Sequence, residues 1–517
     1  MESRADRIIR WLVPTLGGVL VVAAYAFTLF LRAGSLFAGD GDPGRHIRVG
    51  TYILETRSIP HVDLFSHTKL GEPFIPFEWL SEVIFAGFHM LGGLAGVAVL
   101  TAILFAATVG LVYLTMVRAG APTLLAFVFA FASLVLQAVH LHPRPHMFTT
   151  LLVAVFSFLL LEARGDGQMK RLLLLPPLMM IWANLHGGFL VGFILLFMFG
   201  IDAGLVWWRD QEARSARHAG WIAGVAGLCL VASLITPASW DLWPHATGYL
   251  REEWLVDFTQ EYMSPDFHNH LLKFFLAALV LGTGVLAMLR SRVDLLGLAT
   301  WILFSAFALH SGRNIPLFGV VALPWLAGWT ANLADQDARP GSALTRFMGW
   351  ARQLARTESV IPGWPAVSLG VVVLTIVALQ PDRREVYRFS SDVFPVAAVE
   401  ALLKSDFQPP GPVYNEFGWG GYLLYRAWPE IPVFIDGQTD FYGEQLTREY
   451  VAIRALQTNW EQLLAKHMVT WALIPPEAPL AQGLELHPDW RLLYSDSTAV
   501  AFVRGTGAPA SVGEKIR

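Results

Sequence analysis

The chain has 517 residues, of which 54% are hydrophobic and only 15% charged; its mean hydropathy is +0.48 and its net charge −4. A soluble protein carries nearer a quarter charged residues, so the composition points to a membrane protein, and the weakly negative balance argues against a nucleic-acid partner. One cysteine, Cys229, excludes an internal disulfide and a cysteine-ligated metal site.

The opening MESRADRIIR leads into an apolar stretch from Trp11 to Leu31. It is longer than a signal-peptide core and lacks a small-residue cleavage site, which reads as a retained first helix. Because a span needs roughly 17–20 apolar residues, further spans are predicted near 95–117, 123–140, 147–163, 172–185, 188–208, 219–236, 271–289, 294–311, 314–333 and 365–380, about eleven in all. The break at Asn184–Gly188 also allows one long bent helix there. Glu78 to Leu91 is apolar but short and carries Glu78, Glu82 and His89, which suits an interfacial helix.

With the N-terminus in the cytoplasm, the short inner loops hold Arg118; Arg164, Lys170 and Arg171; Arg209, Arg214 and Arg217; Arg290 and Arg292; and Arg339, Arg346, Arg352 and Arg356. That is the excess of basic residues expected on the cytoplasmic side. Loops 32–94, 141–146, 184–188, 237–270 and 311–313 then share the opposite side with the tail. The expected setting is a bacterial inner membrane. The tail, 381–517, alternates strand-like runs (GPVYNE, PVFIDG, VTWALIP, STAVAFVR) with helix-like ones (DVFPVAAVEALLKS, NWEQLLAKH) and ends in a frayed segment after Gly505. The predicted architecture is a polytopic α-helical membrane domain over 1–380, including the outer loop 32–94, followed by an extracytoplasmic α/β domain over 381–517.

The unusual polar residues gather on the side opposite the cytoplasm. The first outer loop carries Asp40, Asp42, Arg45, His46, Arg48, Asp63, His67, Glu78 and Glu82. Partial desolvation at the lipid boundary raises a carboxyl pKa, which suits Asp40 or Asp42 to general-base work. The pair could equally hold a divalent cation such as Mg²⁺ or Mn²⁺ through oxygen ligands, or form a polar turn capping a helix from about Pro43. The turn HLHPRPHMF holds His140, His142, Arg144 and His146; ALHSGRNIP holds His310, Arg313 and Asn314. Arg144 and Arg313 lie on the side where topology does not call for cations, so they are expected to face an anion such as a phosphate. In WANLHGGFLVG, Asn184 and His186 are polar at membrane depth, a costly placement that serves either function or a hydrogen-bonded helix junction. In the tail, NEFGWGGYLLYR offers Trp419 and Tyr422, and PEIPVFIDGQTDFYGE offers Asp436 and Asp440 after a strand-like PVFI. A residue at a strand end often faces a crevice.

The acidic first loop, GDGDPGRHIRVGTYILETRSIPHVDLFSHTKLGEPFIPFEWLSE, with the interfacial helix and span after it, resembles the GT-C class of membrane glycosyltransferases, in particular protein mannosyltransferase-like and aminoarabinose-transferase-like proteins. FGWGGYLLYR followed by IDGQTD is similar to the Trp-Trp-Asp-Tyr-Gly region of oligosaccharyltransferase catalytic subunits. The resemblance implies inverting transfer of a sugar from a polyprenyl-phosphate donor on the non-cytoplasmic side to a protein, glycan or lipid acceptor. It implies Asp40 or Asp42 as the catalytic carboxylate and Arg144 and Arg313 on the donor phosphate. His46, His142, Asn184, His186 and His310 would position substrate, with Trp419, Tyr422, Asp436 and Asp440 on the acceptor side. The chain departs from the pattern in having Asp-Gly-Asp where those relatives have Asp-Glu, which leaves Asp40 and Asp42 both open. It also has Gly420 and Gly421 where the tail motif has Asp and Tyr-Gly. A transporter of lipid-linked sugars, or a non-catalytic envelope-assembly protein, is the competing expectation.

Overall fold

The computed structural model describes residues 11–248, 254, 262–289, 293–336, 341, 343–358, 361, 363–404 and 411–505. The opening decapeptide, Arg290, Arg292, Arg339 and the end after Gly505 lie outside them.

Each predicted span coincides with helix. Helix α1 (Leu16–Ala26) continues through a π-helical turn, Phe27–Leu31. A polar-looking loop segment then forms α2 (Asp42–Thr56), with Pro43 in its first turn, where a missing N–H is harmless. Helix α3 (Trp79–Arg118) is broken at Gly93, whose φ of 62° leaves the helical region. The predicted interfacial helix and the span after it are the two sides of that break. There follow α4 (Thr123–Ala138), α5 (His146–Asp166), α6 (Leu175–Leu185), α7 (Leu190–Asp210) and α8 (Ala213–Ser233). After them come α9 (Leu272–Met288), α10 (Leu295–His310), α11 (Ile315–Val321), α12 (Leu323–Gln336), the basic amphipathic α13 (Ala343–Glu358) and α14 (Trp364–Ala378).

Among the described residues, three helical segments are long and apolar enough to cross a membrane: Trp79–Arg118, His146–Asp166 and Gly187–Asp210. The pair Gly312–Val321 and Leu323–Gln336, bent by 47°, makes a fourth if it counts as one span. The remaining apolar helices have 10–17 residues, so length and composition do not establish the predicted eleven. Helix α7 turns Phe197, Ile201, Leu205, Trp207 and Trp208 outward. An exposed apolar stripe of this kind is stable against lipid rather than water. At one end of the bundle Arg164 bridges Asp202 and Asp294 at 2.8 Å each, tying α5, α7 and the start of α10.

At the other end α2 lies across the first turns of α3. A Cβ on Gly50 would overlap the Glu82 carbonyl, so only glycine permits this approach. It brings His46, one turn earlier on α2, beside Glu78 and Glu82.

The tail folds as α15 (Val396–Lys404), β1 (Val413–Asn415), α16 (Gly420–Ala427), α17 (Thr439–Arg454), α18 (Trp460–Lys466), β2 (Trp471–Ile474), α19 (Pro479–Leu486), β3 (Trp490–Ser495) and β4 (Val500–Arg504). The sheet order is β1-β2-β4-β3, with β1 parallel to β2 and the other pairs antiparallel. The predicted strand PVFI is not part of it. Val433 forms only an isolated bridge to Ser66 of the first loop, so these residues are buried by the loop instead of by a neighbouring strand. One apolar core runs from bundle residues such as Leu29, Phe37 and Phe85 into the tail residues Trp419, Tyr422, Leu423 and Trp471, and a second lies within the tail around Tyr414 and Phe434.

The loop–tail seam makes stability depend on pH. The His67 N–H donates to the Val433 carbonyl at 3.0 Å, Thr68 Oγ1 to that of Phe434 at 2.6 Å, and the His67 ring Nε2–H to that of Val413 at 2.8 Å. Burial pushes the His67 imidazole down to about 4, against the raising effect of the Val413 carbonyl; His467 pushes it further down. The undocked ring binds a proton below about 6.5 while the docked ring does not. Docking is therefore strongest above that value and weakens as pH falls from about 6.5 to about 4, by up to about 3 kcal/mol. The expected result is faster limited proteolysis of the tail at pH 5 than at pH 7.5, with the difference reduced in His67→Gln. Equal rates in the wild type at both pH values would contradict this.

Candidate active site

The apolar anchors Leu36 and Phe37 hold the chain after α1, and the turn through Gly39 and Gly41 presents Asp40 and Asp42 at the start of α2. The N-cap of α2 is Gly41, which has no side chain to cap it; Asp40, one residue earlier, accepts from the Asp42 N–H at 3.1 Å, and its charge lies where the helix dipole favours an anion. That is only half of its role. From the turn between α4 and α5, Arg144 grips Asp40 as a fork, Nε to Oδ2 at 2.5 Å and Nη2 to Oδ1 at 2.7 Å. Its Nη1 lies 3.1 Å from Asp42 Oδ2, and His142 Nδ1 lies 3.9 Å from Asp40 Oδ2.

The two carboxyls are pushed apart electrostatically. Burial raises Asp40, but the Arg144 guanidinium outweighs it and holds this carboxyl below the usual range. Burial also raises Asp42; Arg144 offsets only part, the Asp40 charge adds to the rise, and Asp42 stays above the usual range. Asp40 has a side-chain exposure of 7%, against 22% for Asp42, 22% for Arg144 and 29% for His142. The more basic carboxylate is thus the more accessible one.

Arg144 was expected to meet a donor phosphate. In the structure its guanidinium bridges the two carboxylates. Arg313 donates from Nη1 to the Tyr262 hydroxyl at 2.6 Å and lies 5.3 Å from that ring centroid. It is near the histidine turn: burial, and next the Arg313 charge, keep His140 well below the imidazole range. The His140 and His146 rings lie 4.4 Å apart, with His146 Nε2 at 2.9 Å from the His140 carbonyl. His310 is exposed at the end of α10 and does not join this buried group.

A second polar group lies where α2 meets α3. The Glu78 carboxylate sits between His46 Nδ1 at 4.0 Å and His186 Nε2 at 3.7 Å. Glu82 Oε1 is 3.5 Å from His46 Nδ1 and 3.4 Å from Arg45 Nη1. Arg45 also bonds Gln438 and lies 3.8 Å from Asp436 Oδ2, which ties the tail to the loop. Burial raises Glu78 to about 7. It raises Asp436 to about 6 against the pull of Arg45. The sequence placed Glu78 and Glu82 on a short interfacial helix and Arg45 in the first outer loop, without pairing any of them. The available signal was the i, i+4 spacing of two glutamates at a helix start, with no apolar alternative facing.

His186 Nδ1 accepts from the Gly188 N–H at 2.9 Å, so its proton is on Nε2, toward Glu78. Asn184 is fully used as a helix junction: Oδ1 accepts from Trp79 Nε1 at 2.7 Å, and Nδ2 donates to the carbonyls of Met180 at 2.8 Å and Ile235 at 2.9 Å. These bonds tie α3, α6 and the segment after α8 together. Trp419 and Tyr422, expected on the acceptor side, are buried in packing. The Trp419 Nε1–H donates to the Val393 carbonyl at 2.7 Å, and the Tyr422 ring packs on Phe389 and Phe394 at 5.2 and 5.4 Å. The glycines of this motif serve close approach: a Cβ on Gly421 would overlap the Gly41 carbonyl between the two aspartates. Asp440 Oδ2 lies 3.5 Å from His245 Nε2, beside the cluster.

No protein-family model and no curated protein matches the chain. Similar solved structures include the following two. The archaeal oligosaccharyltransferase AglB from Archaeoglobus fulgidus, in complex with an inhibitory peptide and a dolichol-phosphate, aligns with a TM-score of 0.53 and 11% identity over 98% of this chain and 76% of its own. ArnT from Cupriavidus metallidurans, bound to undecaprenyl phosphate, aligns with a TM-score of 0.49 and 13% identity over 94% and 97%. The similarity to AglB, nearly end to end on this chain, establishes a shared fold.

Proposed function

We propose that this protein is a membrane glycosyltransferase of the GT-C kind, moving a sugar from a polyprenyl-phosphate donor to an acceptor on the non-cytoplasmic side of the membrane. The observation that carries this reading is the Arg144-bridged pair Asp40–Asp42, with its more basic member the more accessible of the two, on a fold shared with an oligosaccharyltransferase. Asp42 is the base: it takes the proton of an acceptor hydroxyl as that oxygen forms a bond to the anomeric carbon. The bond from that carbon to the phosphate oxygen breaks, and its electron pair leaves with the lipid phosphate. A single displacement inverts the anomeric carbon. Asp40 holds Arg144, and Arg144 in turn holds Asp42 in place. Arg313, near the histidine turn, meets the growing charge on the leaving phosphate; a fixed cation there stabilises the transition state more than the ground state. The resident acids make a protein, glycan or lipid hydroxyl equally serviceable as acceptor.

The test is the purified chain in lipid nanodiscs with a polyprenyl-phosphate sugar and an envelope extract as acceptor. Polyprenyl phosphate should be released together with labelled acceptor, and Arg313→Ala should slow release at least about tenfold. Donor crossing the bilayer intact, with no release, would replace transfer by transport.

A further inference from the structure

We infer that His46, Glu78 and Glu82 form a binding site for a divalent transition-metal ion of the zinc class, distinct from the Asp40–Arg144–Asp42 system. One imidazole nitrogen and two carboxylate oxygens from these residues lie within 4.8 Å of one another. His46 Nδ1 is 3.5 Å from Glu82 Oε1 and 4.0 Å from Glu78 Oε2. A charge-assisted N–H···O bond closes to about 2.7–2.9 Å, and these atoms stop short of that. Two donors bound to one tetrahedral ion at about 2.0–2.1 Å stand about 3.4 Å apart. The His46–Glu82 separation of 3.5 Å is a long hydrogen bond and is also close to that of two donors on one ion, with Glu78 Oε2 standing wider at 4.0 Å.

Charge points the same way by an independent route. Around the proposed site itself, among the described residues, the carboxyls of Glu78, Glu82 and Asp436 share one guanidinium, Arg45, with the His46 ring beside the two glutamates. Buried carboxylates in such excess require protons or a further cation. Arg45 Nη1 lies 3.4 Å from Glu82 Oε1, the oxygen that also faces His46, and neutralises part of that carboxylate's charge. A divalent ion between His46, Glu78 and Glu82 would supply most of the rest.

The surroundings are those of a supported site. Glu78 and Glu82 project one turn apart at the head of α3, and the contact at Gly50 fixes α2, and with it His46, against them. His186 carries its proton on Nε2, 3.7 Å from Glu78 Oε1, and so stands as a neutral neighbour of that carboxylate rather than as a ligand. Nitrogen plus carboxylate oxygen, without sulfur, suits zinc, and three protein donors leave a position for water or a ligand oxygen.

The inference does not rest on glycosyl transfer, because its readout is metal. The full-length protein, stripped with a chelator and kept in nanodiscs, is titrated with Zn²⁺ by calorimetry, and its metal content after dialysis is read by mass spectrometry. One equivalent of zinc per chain is expected, with affinity lowered at least about 100-fold in His46→Gln and in Glu78→Gln and unchanged in Asp40→Asn. A thermal scan separates loss of the ion from loss of the fold. A folded wild-type chain that retains no stoichiometric zinc, or binds it equally well in both ligand variants, overturns the site. Loss of transfer activity with zinc binding intact leaves it standing.

Discussion

Asp42→Asn is expected to lower the rate of sugar transfer by about 10²–10⁴-fold, the usual worth of a positioned general base, while the protein still inserts and folds. Asparagine keeps the size of the side chain and removes only its basicity. Asp42 is the better base of the pair because burial and the neighbouring Asp40 charge raise its carboxyl, while the Arg144 fork lowers that of Asp40. Asp40→Asn should behave differently. It breaks the fork, leaves Arg144 to Asp42 alone, and thereby makes Asp42 a weaker base. Its cost should fall on stability as well, because removing one partner of a largely buried ion pair leaves the other uncompensated, at about 3 kcal/mol. The two variants are separated by rate and melting temperature measured on the same preparations. If Asp42→Asn transfers at the wild-type rate, Asp42 is not the base.

Gly421→Ala is expected to damage both stability and transfer, although residue 421 is in the tail. Its Cβ would fall on the backbone carbonyl of Gly41, and backbone cannot rotate away as a side chain can. Either α16 lifts off α2 or the acidic turn moves. Forcing a methyl into such packing costs about 1–3 kcal/mol, and a shift of about 1 Å in a catalytic group costs on the order of 10²-fold in rate. Gly34→Ala is the control, since nothing lies within 4 Å of a Cβ there. Wild-type melting and transfer in Gly421→Ala would mean that α16 does not seat on the acidic turn.

The helices were legible because an apolar run is a local property. The positions of α4, α7 and α10 follow from composition alone, whereas the bend in the 314–333 segment, read as one span, came only with the structure, where Pro324 sits just past the break. Helix α2 was legible only as a possible helix start near Pro43: its buried face carries Arg45 and His46, so no apolar stripe announced where it packs. PVFI was mistaken for a strand because four apolar residues read alike in a strand and in an extended segment buried by a loop. WRLLYS, which is β3, was passed over because its burial is intermittent and its charge sits at the second residue.

By itself the sequence determined the membrane class, the places where helices form, and which polar turns share an end of the bundle, because each depends on the residues of one segment or on the alternation of successive ones. Tertiary structure alone decided their partnerships. Arg144 reaches Asp40 across 104 positions and Arg45 reaches Gln438 across 393. Charge type announces that such residues need partners, but not which ones. The choice depends on how closely α2 can approach α3 and α16, and that is set at Gly50 and Gly421, where backbone meets backbone. The same packing turned an expected phosphate ligand, Arg144, into the clamp between two aspartates, and Trp419 and Tyr422 from acceptor contacts into core.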